Sequence, residues 1–97
     1  MDMETLMAQA QSLQEKISEA QDNLAKMHVK GIAQNGAVVV DMTGKYDPES
    51  VVISESAMQL GAKALSELTL AAIKDAKEKA DALIEKVMNS VTGGTEE

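Results

Sequence analysis

The chain predicts an α+β fold in which a long helix, a three-stranded antiparallel meander and a second long helical region follow one another as α-β-β-β-α. Three observations predict it. Apolar residues recur at alternating three- and four-residue steps from Met3 to Met27, an Asn35-Gly36 pair sits between β-prone runs, and an Ala- and Leu-rich stretch extends from about Ala62 to Val91. They describe a single domain over residues 1–97, with a long helix at about 3–27, a meander at about 27–54, helices at about 56–91 and a polar tail at 92–97.

The first helix carries a heptad stripe. Met3, Ala10, Ile17 and Leu24 hold one class of seam position and Leu6, Leu13, Ala20 and Met27 the other, with mostly polar residues between them. Asp2 and Glu4 suit the positive end of the helix dipole and Lys26 the negative end. At ~1.5 Å per residue this helix is roughly 37 Å long. That exceeds the width of a small meander, so part of the helix is expected to project or to pack on another subunit.

Asn35-Gly36 predicts a type I′ hairpin, because both residues tolerate positive φ. The flanking strands are Met27–Ala33 and Ala37–Met42. The second, Ala-Val-Val-Val-Asp-Met, is apolar on both faces and reads as a central strand covered twice. Thr43-Gly44 starts another turn, Asp47-Pro48 restricts the backbone, and Val51-Val52-Ile53 forms a short third strand. Ser56-Ala57-Met58-Gln59 matches a capping box and predicts a helix start there. Gly61 interrupts that helix before its continuation from about Ala62, whose apolar stripe of Leu65, Leu68, Ala72, Ala76, Leu83 and Val87 is widened by Leu70, Ala71 and Ile73.

This helix carries more apolar surface than one small sheet can cover, and Tyr46 is the sole aromatic residue in the chain. A core of Ala, Leu, Ile, Val and Met buries little area per residue. Both points predict a homodimer. Its interface is expected at Val38, Val40, Leu68, Leu70, Ala71 and Ala72.

Composition also bounds the chemistry. The absence of cysteine excludes disulfides, thiolate nucleophiles and Cys-ligated zinc. The acidic start Met1-Asp2-Met3-Glu4 lacks the basic region of a signal peptide, and no apolar run reaches membrane-spanning length, so a cytoplasmic protein without a membrane partner is expected. The net charge is −7, and all nine basic residues are Lys. Lacking the bidentate Arg fork, this composition by itself disfavours a nucleic-acid partner.

No catalytic constellation is complete. His28 is the single imidazole and reads as a surface or interfacial residue. Glu15 and Glu19 lie one turn apart, but the Glu-x-x-His pattern of a di-metal site is absent, so they read as a solvated acidic face. Gly31 and Gly36 have the spacing of a phosphate-binding loop, yet Ala37-Val38 stands where Lys-Ser or Lys-Thr is required. Lys74/Glu78, Asp75/Lys79 and Lys77/Asp81 are i,i+4 pairs of opposite charge, as on an exposed helix. The seven Met residues mostly sit at seam, strand or helix positions that core packing explains. Neither an enzyme nor a cofactor or metal is expected.

The order and spacing of several segments carry a resemblance. Gln9-Ala10-Gln11-x-Leu13-Gln14-Glu15-Lys16, Asn35-Gly36-x-Val38-x-Val40, the turn glycine Gly44, Val51-x-Ile53 and Leu68-x-x-Ala71-Ala72-x-x-Asp75-Ala76 together resemble the YbaB/EbfC family of bacterial nucleoid-associated proteins. The resemblance implies a tight, tweezer-like dimer with projecting helices, bound to double-stranded DNA in the nucleoid. For a chain of this charge, it requires lysines clustered on the arms as phosphate contacts, with Lys16, Lys26, Lys77, Lys79 and Lys86 as the candidates. Small size, low pI and dimerisation equally suit an acidic adaptor or chaperone holding a protein partner.

Overall fold

The structure is a computed structural model that describes residues 2–91; the polar tail expected at 92–97 lies outside the described residues. Helix α1 spans Met3–Lys26, strand β1 His28–Ala33, β2 Val38–Thr43, β3 Pro48–Ile53, helix α2 Glu55–Met58 and α3 Ala62–Val91. The strands form one antiparallel sheet in the order β1-β2-β3, so the predicted α-β-β-β-α order is the one observed.

Helix α1 starts where its end chemistry dictates. Asp2 is the N-cap, its Oδ1 accepting the Thr5 N–H at 2.9 Å, and the Thr5 hydroxyl chiefly, with that amide next, holds the Asp2 carboxyl below its ordinary range. At the other end the Gly44 N–H donates to the carbonyls of Leu24 and Met27, both at 3.0 Å, so the β2–β3 turn satisfies orphan acceptors of α1. A Cβ on Gly44 would stand 2.8 Å from the Leu24 carbonyl oxygen, which is why this approach needs glycine.

The β1–β2 hairpin forms at the predicted place but with a longer loop. Ala33 pairs with Val38, leaving four residues between the strands. Gln34, Asn35 and Gly36 all have positive φ, at 47°, 56° and 99°, in a 3₁₀ turn rather than a two-residue type I′ turn. The third strand is also longer than its apolar run, because Pro48–Ser50 continues the pairing with β2 past a bulge between Asp41 and Met42. Pro48 is tolerated as the first residue of an edge strand.

The cap of α2 lies two residues before the predicted one. Ser54, with extended backbone, accepts the Ala57 N–H at 3.1 Å, while Ser56 is already inside the helix. One turn later Gly61, at φ 96°, redirects the chain into α3, which runs over the expected Ala62–Val91.

The core lies between one face of β1–β2 and α3. Ala33, Val38, Val40 and Met42 meet Ala72, Ala76 and Ala80, with Val29 and Leu68 packed alongside. The three alanines recur every four residues and so form one ridge. Small side chains bring the helix axis close to the sheet, and contact is tightest at Gly31, where a Cβ would stand 1.9 Å from the Ala72 carbonyl oxygen. This replaces aromatic burial with close backbone approach.

Strand β2 is central, as predicted, but α3 covers one of its faces and not two. On the opposite face Ile32, Val39 and Val52 lie side by side in register, and Val52 is 61% exposed. Strand β3 is exposed along its whole length. Helix α1 joins the body through its last turns, where Ala20 and Leu24 are buried, and the described chain extends over 67 × 24 × 16 Å.

Candidate nucleic-acid interface

The five lysines expected to meet DNA fall into two groups. Lys79 and Lys77 are held by contacts within the chain. Lys79 Nζ donates to the Lys30 carbonyl at 2.8 Å and lies 3.0 Å from Asp75 Oδ2, which itself accepts the Ile32 N–H at 2.9 Å. Two α3 side chains one turn apart therefore match a donor and an acceptor of β1. The Ile32 amide chiefly, and the Lys79 ammonium next, hold the Asp75 carboxyl below its ordinary range.

Lys77 belongs to a second cluster. Its Nζ lies 3.5 Å from Asp81 Oδ2 and 5.6 Å from the centre of the Tyr46 ring, while the Tyr46 hydroxyl donates to Asp81. That hydroxyl lowers the Asp81 carboxyl, and the carboxylate in turn raises the Tyr46 phenol. The turn carrying Tyr46 is thereby fastened to α3, with Tyr46 at φ 66°. Of the three i,i+4 pairs legible in the sequence, Asp75/Lys79 and Lys77/Asp81 form, while Lys74 and Glu78 are not within ion-pair distance.

Lys16, Lys26 and Lys86 are exposed and have no ion-pair partner among the described residues. Lys16 lines a groove between α1 and the end of α3, shared with Glu19, Asn23, Val87 and Ser90. Among the five candidates, these three are the ones whose ammonium groups are available to phosphate without breaking a contact inside the chain.

The residues expected at a dimer interface also separate. Val38, Val40 and Ala72 are completely buried in their own chain and have no surface to present to a partner, because α3 seats directly on β2. Leu68 is half-buried against the same core, whereas Leu70 and Ala71 are exposed. Apolar surface that the periodicity of the chain does not single out is open at Ile32, Val51, Val52, Ile53, Met58 and Leu60. Its signal in the sequence is the unbroken Val51-Val52-Ile53 run, apolar on both faces of a strand.

His28 Nδ1 lies 2.7 Å from Asp41 Oδ1, a pair between neighbouring strands. Among the described residues no group of three or more His, Asp or Glu could hold a metal ion, and no helix is long and apolar enough to cross a membrane.

Residues 1–95 match the YbaB/EbfC DNA-binding family. The chain is 42% identical over 90 residues to a nucleoid-associated protein of Bradyrhizobium diazoefficiens, covering 92% of this chain and 85% of that one. It is 39% identical over 85 residues to a nucleoid-associated protein of Cyanothece sp., covering 88% and 75% respectively. An uncharacterized Helicobacter pylori protein of known crystal structure has the same fold, with a TM-score of 0.83 at 15% identity over 96% of this chain and 99% of that one. The match over residues 1–95 and the identity to these nucleoid-associated relatives agree, and the chain belongs to the YbaB/EbfC DNA-binding family.

Proposed function

We propose that the protein is a cytoplasmic, nucleoid-associated homodimer that holds duplex DNA through phosphate contacts from Lys16, Lys26 and Lys86 on its helices. The observation that carries this reading is family membership over residues 1–95, together with relatives named for nucleoid association. The geometry supports it by separating these three candidates from Lys77 and Lys79, whose ammonium groups are held inside the chain.

The dimer forms through β3 and its surroundings. Strand β1 is engaged by Asp75 and Lys79, but β3 presents Val51, Val52 and Ile53 to water. By register Val51 and Ile53 share the face of Val40 and Val38, yet α3 leaves them uncovered. An apolar strand exposed on both faces at a sheet edge is a pairing surface.

Three phosphate contacts per chain make about six per dimer, so affinity for duplex DNA falls by roughly 10³ between 50 and 200 mM salt. Fluorescence anisotropy with a labelled duplex measures this directly. Failure to bind at micromolar protein in low salt overturns the proposal.

A further inference from the structure

The N-terminal half of α1 stands clear of the body. Its seam residues Met3, Leu6, Ala10 and Leu13, with Met7 beside them, are exposed, whereas the same stripe is buried at Ala20 and Leu24. Scattered exposed apolar residues need no explanation. A run at seam spacing does, because that pattern is the shape a second helix fills. Nothing in the fold of the single chain requires Leu6 or Leu13, which are 46% and 44% exposed.

Charge identifies the second helix. At −7, two copies of the chain repel one another over most of their surface. None of the nine lysines and sixteen acidic residues, however, lies between Thr5 and Gln14. The arm is thus a segment where two copies meet without setting like charges against each other, and it coincides with the exposed stripe. The same lack of lysine leaves this part of the arm nothing with which to bind phosphate.

We propose that the α1 arms of two copies pair as a short antiparallel coiled coil through Met3, Leu6, Ala10 and Leu13. Centred on Ala8, the antiparallel register sets Met3 on the partner's Leu13 and Leu6 on the partner's Ala10, a large residue against a small one. Asp2 and Lys16 are two heptads apart on the same flank, so at each end Asp2 comes beside the partner's Lys16, and an arm paired in this way no longer offers Lys16 to phosphate. A parallel register instead sets Asp2 on the partner's Asp2, Glu4 on the partner's Glu4, and two positive helix ends together. A coil of two heptads is too short to nucleate in isolation. Here each arm is already helical and anchored by Leu24 and Ala20, so pairing does not carry the nucleation cost. Dimers joined through β3 and also through their arms form larger assemblies.

Sedimentation velocity over a concentration series tests the arms separately from the sheet. The wild-type chain is expected to sediment as species larger than a dimer as concentration rises, and the double variant Leu6→Glu/Leu13→Glu to stop at the dimer with unchanged circular dichroism. Val52→Glu disrupts the β3 contact and is expected to leave dimers paired by their arms, so loss of one interface is distinguishable from loss of the other. Because the chain lacks cysteine, Met7→Cys supplies a single thiol beside the pairing axis, and Ala8→Cys supplies one at the same height facing away. A short bismaleimide is expected to join Met7→Cys chains and not Ala8→Cys chains. Identical sedimentation of wild type and Leu6→Glu/Leu13→Glu at every concentration, or equal cross-linking of the two thiol variants, overturns the proposal.

Discussion

Asp75 on α3 accepts the backbone N–H of Ile32 on β1 at 2.9 Å, so a helix side chain takes the position that another strand would use at that sheet edge. Lys79 completes the arrangement by donating to the Lys30 carbonyl at 2.8 Å. An edge strand with free donors and acceptors is a template for pairing, and this contact blunts it while β3 stays open. Replacing Asp75 by Ala is expected to speed amide exchange at Ile32 by more than at Val40, with a lower denaturant midpoint for the whole chain. Equal exchange at Ile32 in both proteins, followed by NMR, contradicts this role.

Gly31 marks the closest approach of sheet and helix. A methyl group there meets the Ala72 carbonyl oxygen at 1.9 Å and the Ala76 nitrogen at 2.5 Å, both backbone atoms that cannot rotate away. Gly31→Ala is expected to destabilise the fold by about 3 kcal/mol, the upper part of the range for overpacking a core. Urea denaturation measures it. Gly36→Ala, where a Cβ meets nothing within 4 Å, is expected to cost about 1 kcal/mol through its positive φ alone.

The carboxyls of Asp75 and Asp81 titrate below the ordinary value of 3.8, the first through the Ile32 amide and the second through the Tyr46 hydroxyl. A carboxyl whose folded pKa lies below its unfolded pKa stabilises the fold fully above the unfolded value. That contribution is lost as pH falls through the folded one. Acidification from pH 5 to below the ordinary value of 3.8 is therefore expected to lower the thermal midpoint. The loss should be smaller in Asp75→Ala and Asp81→Ala than in the wild type, read by circular dichroism melts at each pH.

The two groups of lysines should behave differently toward DNA. Each of Lys16, Lys26 and Lys86 changed to Ala is expected to weaken binding without sequence preference and to reduce the log–log salt slope by about 1 per phosphate contact removed. Lys77→Ala is expected to leave that slope nearly unchanged and to loosen the Tyr46 turn instead, since its ammonium already faces Asp81 and the Tyr46 ring. Anisotropy titrations at several salt concentrations separate the two outcomes.

Much of the architecture was legible because it is written locally. The heptad steps of α1, the positive-φ residues of the hairpin and the Gly61 break each act within a few positions of themselves. The same locality explains the misplaced cap of α2. Ser54 and Ser56 both offer a hydroxyl, and the choice depends on where the pairing of β3 with β2 ends, since the Ser54 N–H still donates to the Ala37 carbonyl at 2.9 Å.

By itself, then, the sequence determined the kind and order of the elements, the family and the arginine-free acidic surface, all properties of neighbouring residues or of composition. Tertiary structure alone decided which apolar residues are spent inside the chain and which lysines are available. Val38, Val40 and Ala72 lose their surface to a helix that meets the sheet from far along the chain. Lys79 finds the Lys30 carbonyl across 49 positions, and Asp81 finds Tyr46 across 35. Such contacts depend on how α3 seats on β1 and β2, and the depth of that seat is set by Gly31 and the ridge of Ala72, Ala76 and Ala80.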